Sequence, residues 1–354
     1  MRRQTRLRGR WLKAGVPALV AALALGVTAC GDDDDGGNGG GGSGNEEVRL
    51  GAFILASENT YAQKNLEGVE RAAEKAGNVT VQSFDGKFDG RNQLNQIQDA
   101  IASGNFDAFV VFPNDGAQVA PGVEDAAAAG IKTVAAYAPI GPDIDTGEPQ
   151  VDGVIGTVWH PNRPNGADLA ELTIQACEQE HAKASPCKVA YISGGNEVAF
   201  EKAKLEEFNK TIEDSGKDID VVSEQEGNFL QDDSLKATEN ILQANKDVNV
   251  ITTSGDQMTL GAEQAVEDAG LTGKVSLIGN GAATQGVEAV RSGKWFGTPV
   301  YLPIDEGEKA AQMAIDAVRG KDPDTTVIDL IEESPIGPFV TEENAKDFEA
   351  QWSG

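Results

Sequence analysis

From Val48 onward, short β-branched runs alternate with amphipathic stretches. The apolar runs VRLGAFIL, VTVQSF, DAFVVF, IKTVAAY and GVIGTV come first, and KVAYIS, DIDVVSEQ, VNVITTS, KVSLIG and GTPVYL follow. Between them apolar residues recur at helical spacing. Ala62, Leu66, Val69, Ala73 and Ala76 share one face, as do Met258, Ala262, Ala265, Val266 and Ala269. Three predicted helices end in Ala-Gly, at Ala76-Gly77, Ala129-Gly130 and Ala269-Gly270. Glycine fits the left-handed position that closes a helix. This rhythm predicts an α/β protein whose parallel sheets are covered by helices on both faces. The runs are too many for one compact sheet, so two Rossmann-like lobes are expected. No Gly/Ser/Pro-rich break parts them, which favours short hinge strands over a linker. The segments TGEPQ near Thr146 and WHPNRPNG after Val158 are the expected places for a change of lobe.

The beginning of the chain follows another pattern. Arg2, Arg3, Arg6, Arg8, Arg10 and Lys13 precede an apolar, Ala-rich run from Ala14 to Ala29. The run is short for a membrane span and ends in small residues, so residues 1–30 read as a secretory signal peptide, with an uncleaved anchor helix as the alternative. Val27-Thr28-Ala29-Cys30 resembles the lipobox of bacterial lipoproteins, which implies lipidation at Cys30. Each buried CH₂ contributes about 0.8 kcal/mol, so two acyl chains hold a protein stably on a bilayer. Residues 31–46 carry no apolar side chain and read as a flexible linker. Their four Asp do not have the spacing of a calcium loop.

Charge and cysteine content narrow the partners. The chain has 29 Lys and Arg against 57 Asp and Glu, and six of the basic residues lie in the first 30 positions. The remainder therefore carries 23 positive and 57 negative side chains. Such a surface repels nucleic acid, and none is expected as a partner. Cys177 and Cys187 stand ten residues apart. In an exported protein they are expected to form a disulfide tying a helix end to the next strand, with two free thiols as the alternative. His160 and His181 have no Cys or His at ligand spacing, so no metal or cofactor is called for.

Catalytic motifs are missing. IGNGAATQG follows a strand and opens a helix, but Thr284 stands where a dinucleotide loop has its third Gly. There is no Walker loop, no G-x-S-x-G elbow and no H-E-x-x-H. Polar and aromatic residues instead gather at the C-terminal ends of the predicted strands, where open α/β sheets bind ligands. These are Asn59, Tyr61, Asn114, Asp115, Tyr137, Trp159, Asn162, Arg163, Lys202, Phe229, Asp256, Asn280 and Tyr301. Aromatic faces with hydrogen-bonding groups between them suit a small polar solute such as a sugar ring. Each residue also has a plainer role. Asp256 suits a helix N-cap, Asn114-Asp115-Gly116 a turn, and Tyr137 or Phe229 a core.

The segment KDVNVITTSGDQMTLGAEQAVEDAG, with Asp256, Met258, Gly261 and Ala262 in rhythm, resembles the substrate-binding proteins of bacterial ABC importers, in the ribose- and galactose-binding branch. FPNDG and GIKTVAAY agree. The resemblance runs from Val48 to near the end of the chain. It implies the type I periplasmic binding protein fold, shared with lactose-repressor effector domains. In that fold two lobes are joined by three hinge strands, here near 158–162, 301–303 and 326–332. The N-terminal lobe would comprise 47–158 plus 302–328, and the C-terminal lobe 159–301 plus 329–354.

Residue by residue, the resemblance is uneven. Asn59 and Tyr61 match a sugar-contacting pair, and Phe229 matches an aromatic stacker. Tyr137-Ala138 replaces an Asp-Arg pair, Lys202 an Arg, Gly281 an Asp and Tyr301 a Gln. Lost charged groups imply a less hydroxylated, flatter or more apolar ligand. The combined expectation is a non-enzymatic receptor, lipid-anchored outside the cell membrane and acting as a monomer. It would pass a sugar-like solute to importer permease subunits by cleft closure. Two alternatives stay open: a receptor serving a sensor kinase, and a lipoprotein hydrolase, which would need paired acids across the cleft.

Overall fold

The computed structural model describes residues 47–195 and 198–354. The signal-peptide and linker segments, Cys30 and the Asn196-Glu197 pair lie outside them.

The first sheet grows from a repeated strand–helix unit: β1 (Val48–Ile54), α1 (Thr60–Ala76), β2 (Val79–Asp85), α2 (Gly90–Ser103), β3 (Ala108–Val111), α3 (Gly116–Ala128), β4 (Lys132–Tyr137) and β5 (Val154–Trp159). The second repeats it: α4 (Asn162–Gln179), β6 (Cys187–Ser193), α5 (Ala199–Asp214), β7 (Ile219–Glu226), α6 (Gln231–Ala244), β8 (Val250–Thr253), α7 (Asp256–Asp268), β9 (Ser276–Ile278), α8 (Thr284–Arg291) and β10 (Gly297–Pro299). The chain ends with α9 (Pro303–Val318), β11 (Val327–Asp329) and β12 (Phe339–Thr341).

The strand orders are β11-β5-β4-β3-β1-β2 and β12-β10-β9-β8-β6-β7. Among the described residues every strand pairing is parallel except β10 with β12. Strands β3 and β8 are buried along their whole length, as expected when helices cover both faces. Apolar clusters lie on both sides of each sheet.

Among the described residues the chain passes between the sheets three times: from β5 to α4, from β10 to α9, and from β11 to β12. One expected change of lobe is corrected. The TGEPQ segment stays with the first sheet, because β4 and β5 pair in parallel on either side of it. The Cys177 and Cys187 sulfurs are bonded, 2.08 Å apart, and join the end of α4 to the start of β6.

Candidate functional site

The carboxyl ends of both sheets face one chamber. It holds about 450 Å³ of empty space, open solvent at its mouth included. Leu55, Asn59, Tyr61, Phe88 and Tyr137 line it from the first lobe, and Phe200, Phe229, Ser254, Gly255, Gln257 and Asn280 from the second. Tyr301, at a crossing, and Trp352 complete it. Among the described residues no charged side chain reaches the lining. A chamber walled by rings and a few amides suits a small uncharged molecule.

The rings form a connected set. Tyr61 lies 5.8 Å from Tyr137, 5.6 Å from Tyr301 and 5.6 Å from Trp352 between ring centres. Tyr137 meets Phe200 of the second lobe edge-on at 5.3 Å. Burial raises the pKa of Tyr61, Tyr137 and Tyr301, so these phenols stay protonated as hydrogen-bond donors.

Three lining rings sit on strained backbone. Phe88, Tyr137 and Phe229 have φ of +53°, +70° and +54°. A left-handed L-residue costs roughly 1–2 kcal/mol. Such outliers persist where surrounding structure holds them, and they concentrate at ligand clamps. Phe88 and Phe229 are equivalents in the two lobes. Each ends a Gly-x-Phe sequence, Gly86-Lys87-Phe88 after β2 and Gly227-Asn228-Phe229 after β7. Each Gly accepts from the amide three residues on, Asp89 at 3.0 Å and Leu230 at 2.8 Å. Gly194 gives Phe229 its place, since a Cβ at 194 would lie 2.0 Å from the ring's Cζ.

Polar groups are sparse but aimed. Asn59 caps α1, its Oδ1 accepting from Ala62 N at 2.9 Å. Asn280 exchanges two amide hydrogen bonds with Asn165, each 3.0 Å. Gln257 Oε1 is buried without a protein partner. A buried unpaired acceptor beside an open chamber is a natural place for a ligand hydroxyl.

Of the thirteen residues singled out from the sequence, Asn59, Tyr61, Tyr137, Phe229, Asn280 and Tyr301 line this chamber. Asn114, Asp115 and Asn162 line a neighbouring hollow at its edge. There Asn114 Nδ2 donates to Leu55 O at 3.1 Å and Asp115 caps α3. Trp159, Arg163, Lys202 and Asp256 stand in neither lining. Trp159 is buried against Gly147. Arg163 pairs with Asp145 at 2.8 Å and Glu206 at 3.2 Å, across the outer edge between the lobes. Asp256 is not an N-cap: that place is Gly255, and the carboxylate instead accepts from Ala283 N at 2.6 Å and Thr298 Oγ1 at 2.8 Å.

Lys202 is exposed on α5, and the buried cation of this helix is Lys204, paired with Glu201. Burial alone would lower the Lys204 pKa, but Glu201 and the nearby tyrosines raise it overall. Glu201 also accepts from Gly194 N at 2.8 Å and so braces the loop over Phe229. The sequence reading missed Phe88, Phe200, Gln257 and Trp352. The repeated Gly-x-Phe could have found Phe88; nothing local marks Trp352.

The fold and chamber together define a two-lobed solute-binding protein of the type I periplasmic class. Residues 51–322 match the periplasmic binding protein domain, and the chain belongs to that family. The D-xylose-binding periplasmic protein of Escherichia coli is 30% identical over 316 residues, 85% of this chain and 89% of the relative. The ribose import binding protein of Bacillus subtilis is 24% identical over 317 residues, 89% and 97% of the two chains. Among solved structures, a Bacillus halodurans ABC transporter solute-binding protein with bound myo-inositol superposes with a TM-score of 0.74 at 21% identity, covering 88% of this chain and 100% of the other.

Proposed function

We propose that the protein is an extracytoplasmic receptor that captures one small, neutral sugar or sugar-like solute between its lobes and delivers it to an ABC importer. The observation that carries this reading is a chamber without described charged lining residues, shared by both lobes and walled by aromatic rings and amides. The xylose- and ribose-binding relatives support the solute class. Cys30 would carry the lipid anchor, supported by the sequence before it. The receptor acts as a monomer, and its closed lobes are what the permease subunits read. Closure needs no covalent chemistry, in keeping with a non-enzymatic role.

A thermal-shift screen tests the proposal with D-xylose, xylitol, D-ribose, D-allose, D-arabinose and myo-inositol. A true ligand at 100 times its Kd adds about 2.7 kcal/mol of stability. No shift with any member up to 10 mM would remove the sugar reading. Radiolabelled palmitate incorporated by the wild-type chain and lost in Cys30→Ser tests the anchor.

A further inference from the structure

The last four residues bond to both lobes. Gln351 Oε1 accepts from Ile304 N at 2.9 Å and Asp305 N at 3.2 Å, capping α9, which has no side-chain cap from its own N-cap residue. The next residue turns to the other lobe. Trp352 Nε1 donates to Gly281 O at 2.9 Å, and Trp352 O accepts from Thr284 N at 2.8 Å and Thr284 Oγ1 at 3.0 Å. Gly354 N donates to Gln285 Oε1 at 2.9 Å. Between these anchors the indole is 4% exposed, edge-on to Tyr61, and part of the chamber wall.

The second lobe is shaped to receive it. Gly281 has φ +133°, and a Cβ there would lie 2.5 Å from Trp352 Cζ2. The indole therefore fills the space that a side chain at 281 would enter. A loose tail would not need a glycine at that position, nor six hydrogen bonds on two lobes.

We infer that residues 351–354 are a strap that completes the ligand chamber, and that Trp352 sets its size, admitting a single compact ring and excluding substituents on that side. The inference deepens the proposed receptor function and rests on the chamber being the ligand site. Trp352 is then a specificity residue, contributed by sequence about 50 positions beyond Tyr301.

The test uses the full chain as wild type, Trp352→Gly and Trp352→Phe, with indole, D-xylose and phenyl β-D-xyloside as probes. In Trp352→Gly, 1 mM indole should refill the vacated space and raise the melting temperature by several degrees, with no rise in wild type. Where D-xylose binds wild type, phenyl β-D-xyloside should gain at least tenfold in affinity in Trp352→Gly and an intermediate amount in Trp352→Phe. A folded Trp352→Gly chain that ignores indole and keeps wild-type affinities would overturn the inference. Should no sugar bind wild type, the sugar reading falls and the indole result alone decides the strap. If Trp352→Gly does not fold, hydrogen exchange in the wild-type chain decides. Protection of the Thr284 amide supports the strap, and exchange there at the unfolded-chain rate overturns it.

Discussion

The Tyr61 hydroxyl donates to Glu306 Oε2 at 2.8 Å, joining residues 245 positions apart at the base of the chamber. The same oxygen accepts from Asn65 Nδ2 at 2.7 Å, and Glu306 Oε1 stands 3.3 Å from His160 Nδ1. All four side chains are buried. The carboxylate thus links α1 and α9 to the first crossing, where the His160 ring also packs edge-on against Tyr301 at 4.6 Å. Tyr61, which among the described residues has three aromatic neighbours, is held by an acid outside the chamber lining.

Removing that acid should cost more than removing its donor. Glu306→Ala strands the Tyr61 hydroxyl, leaves the Asn65 amide only its 3.1 Å bond to Pro303 O, and opens a hole beside both, so it should lower unfolding stability by about 2–4 kcal/mol. Tyr61→Phe leaves Glu306 with two partners and should cost about 1–2 kcal/mol. Urea unfolding midpoints measure both, and a Glu306→Ala loss below that of Tyr61→Phe would contradict this order.

Gly194→Ala should act on Phe229. The new methyl would enter the ring's position, 2.0 Å from Cζ, so the ring must leave the chamber wall. We expect ligand affinity to drop at least tenfold, about 1.4 kcal/mol, while the far-UV circular dichroism is unchanged. Calorimetry with the ligand from the screen decides it; unaltered affinity would show that Phe229 does not clamp.

Phe88→Gly separates strain from binding. Glycine relieves a left-handed residue costing roughly 1–2 kcal/mol but adds about 0.5–1 kcal/mol of unfolded-chain freedom. The lost ring is half exposed. Stability should stay within about 1 kcal/mol of wild type while ligand dissociation quickens several-fold in stopped-flow measurements. A variant that loses stability but binds normally would assign Phe88 to structure alone.

Two acids predict a pH response. Burial, aided by Glu171 and Asp329, pushes Asp168 up to about 7. Burial pushes Asp256 to about 6, against the lowering effect of its Thr298 and Ala283 hydrogen bonds. Unfolded Asp titrates near 3.9. Between about pH 4 and 7 these two carboxyls hold protons in the native state that they release on unfolding, so their contribution to stability falls as pH rises through that window. Asp168→Asn should remove its share, on the order of 2 kcal/mol allowing for partial solvent screening. Denaturation midpoints at pH 4.5 and 7.5 test this: an unchanged pH slope in the variant would exclude Asp168 as a source.

Lys202 and Lys204 show where sequence reasoning stops. Two positions on a helix lie about 200° apart, so neighbours in the pattern face opposite ways. Alignment to a family motif placed the cation at Lys202, on the solvent side. The buried one is Lys204, whose charge is tolerable only because Glu201 is folded beside it. Asp256 shows the same limit: its helix-start position was legible, but its hydrogen-bond partners lie 27 and 42 residues away.

The amino-acid sequence by itself determined the alternation of buried strands and amphipathic helices, the Ala-Gly helix stops and the placing of Asn59, Tyr61, Tyr137, Phe229, Asn280 and Tyr301 near strand ends. Those features follow from local periodicity, turn chemistry and strand polarity. Only the tertiary structure decided which rings share one chamber, that Glu306 fixes Tyr61, and that Trp352 fills the space beside Gly281. Contacts between residues tens to hundreds of positions apart depend on how the lobes close, and no local pattern carries that geometry.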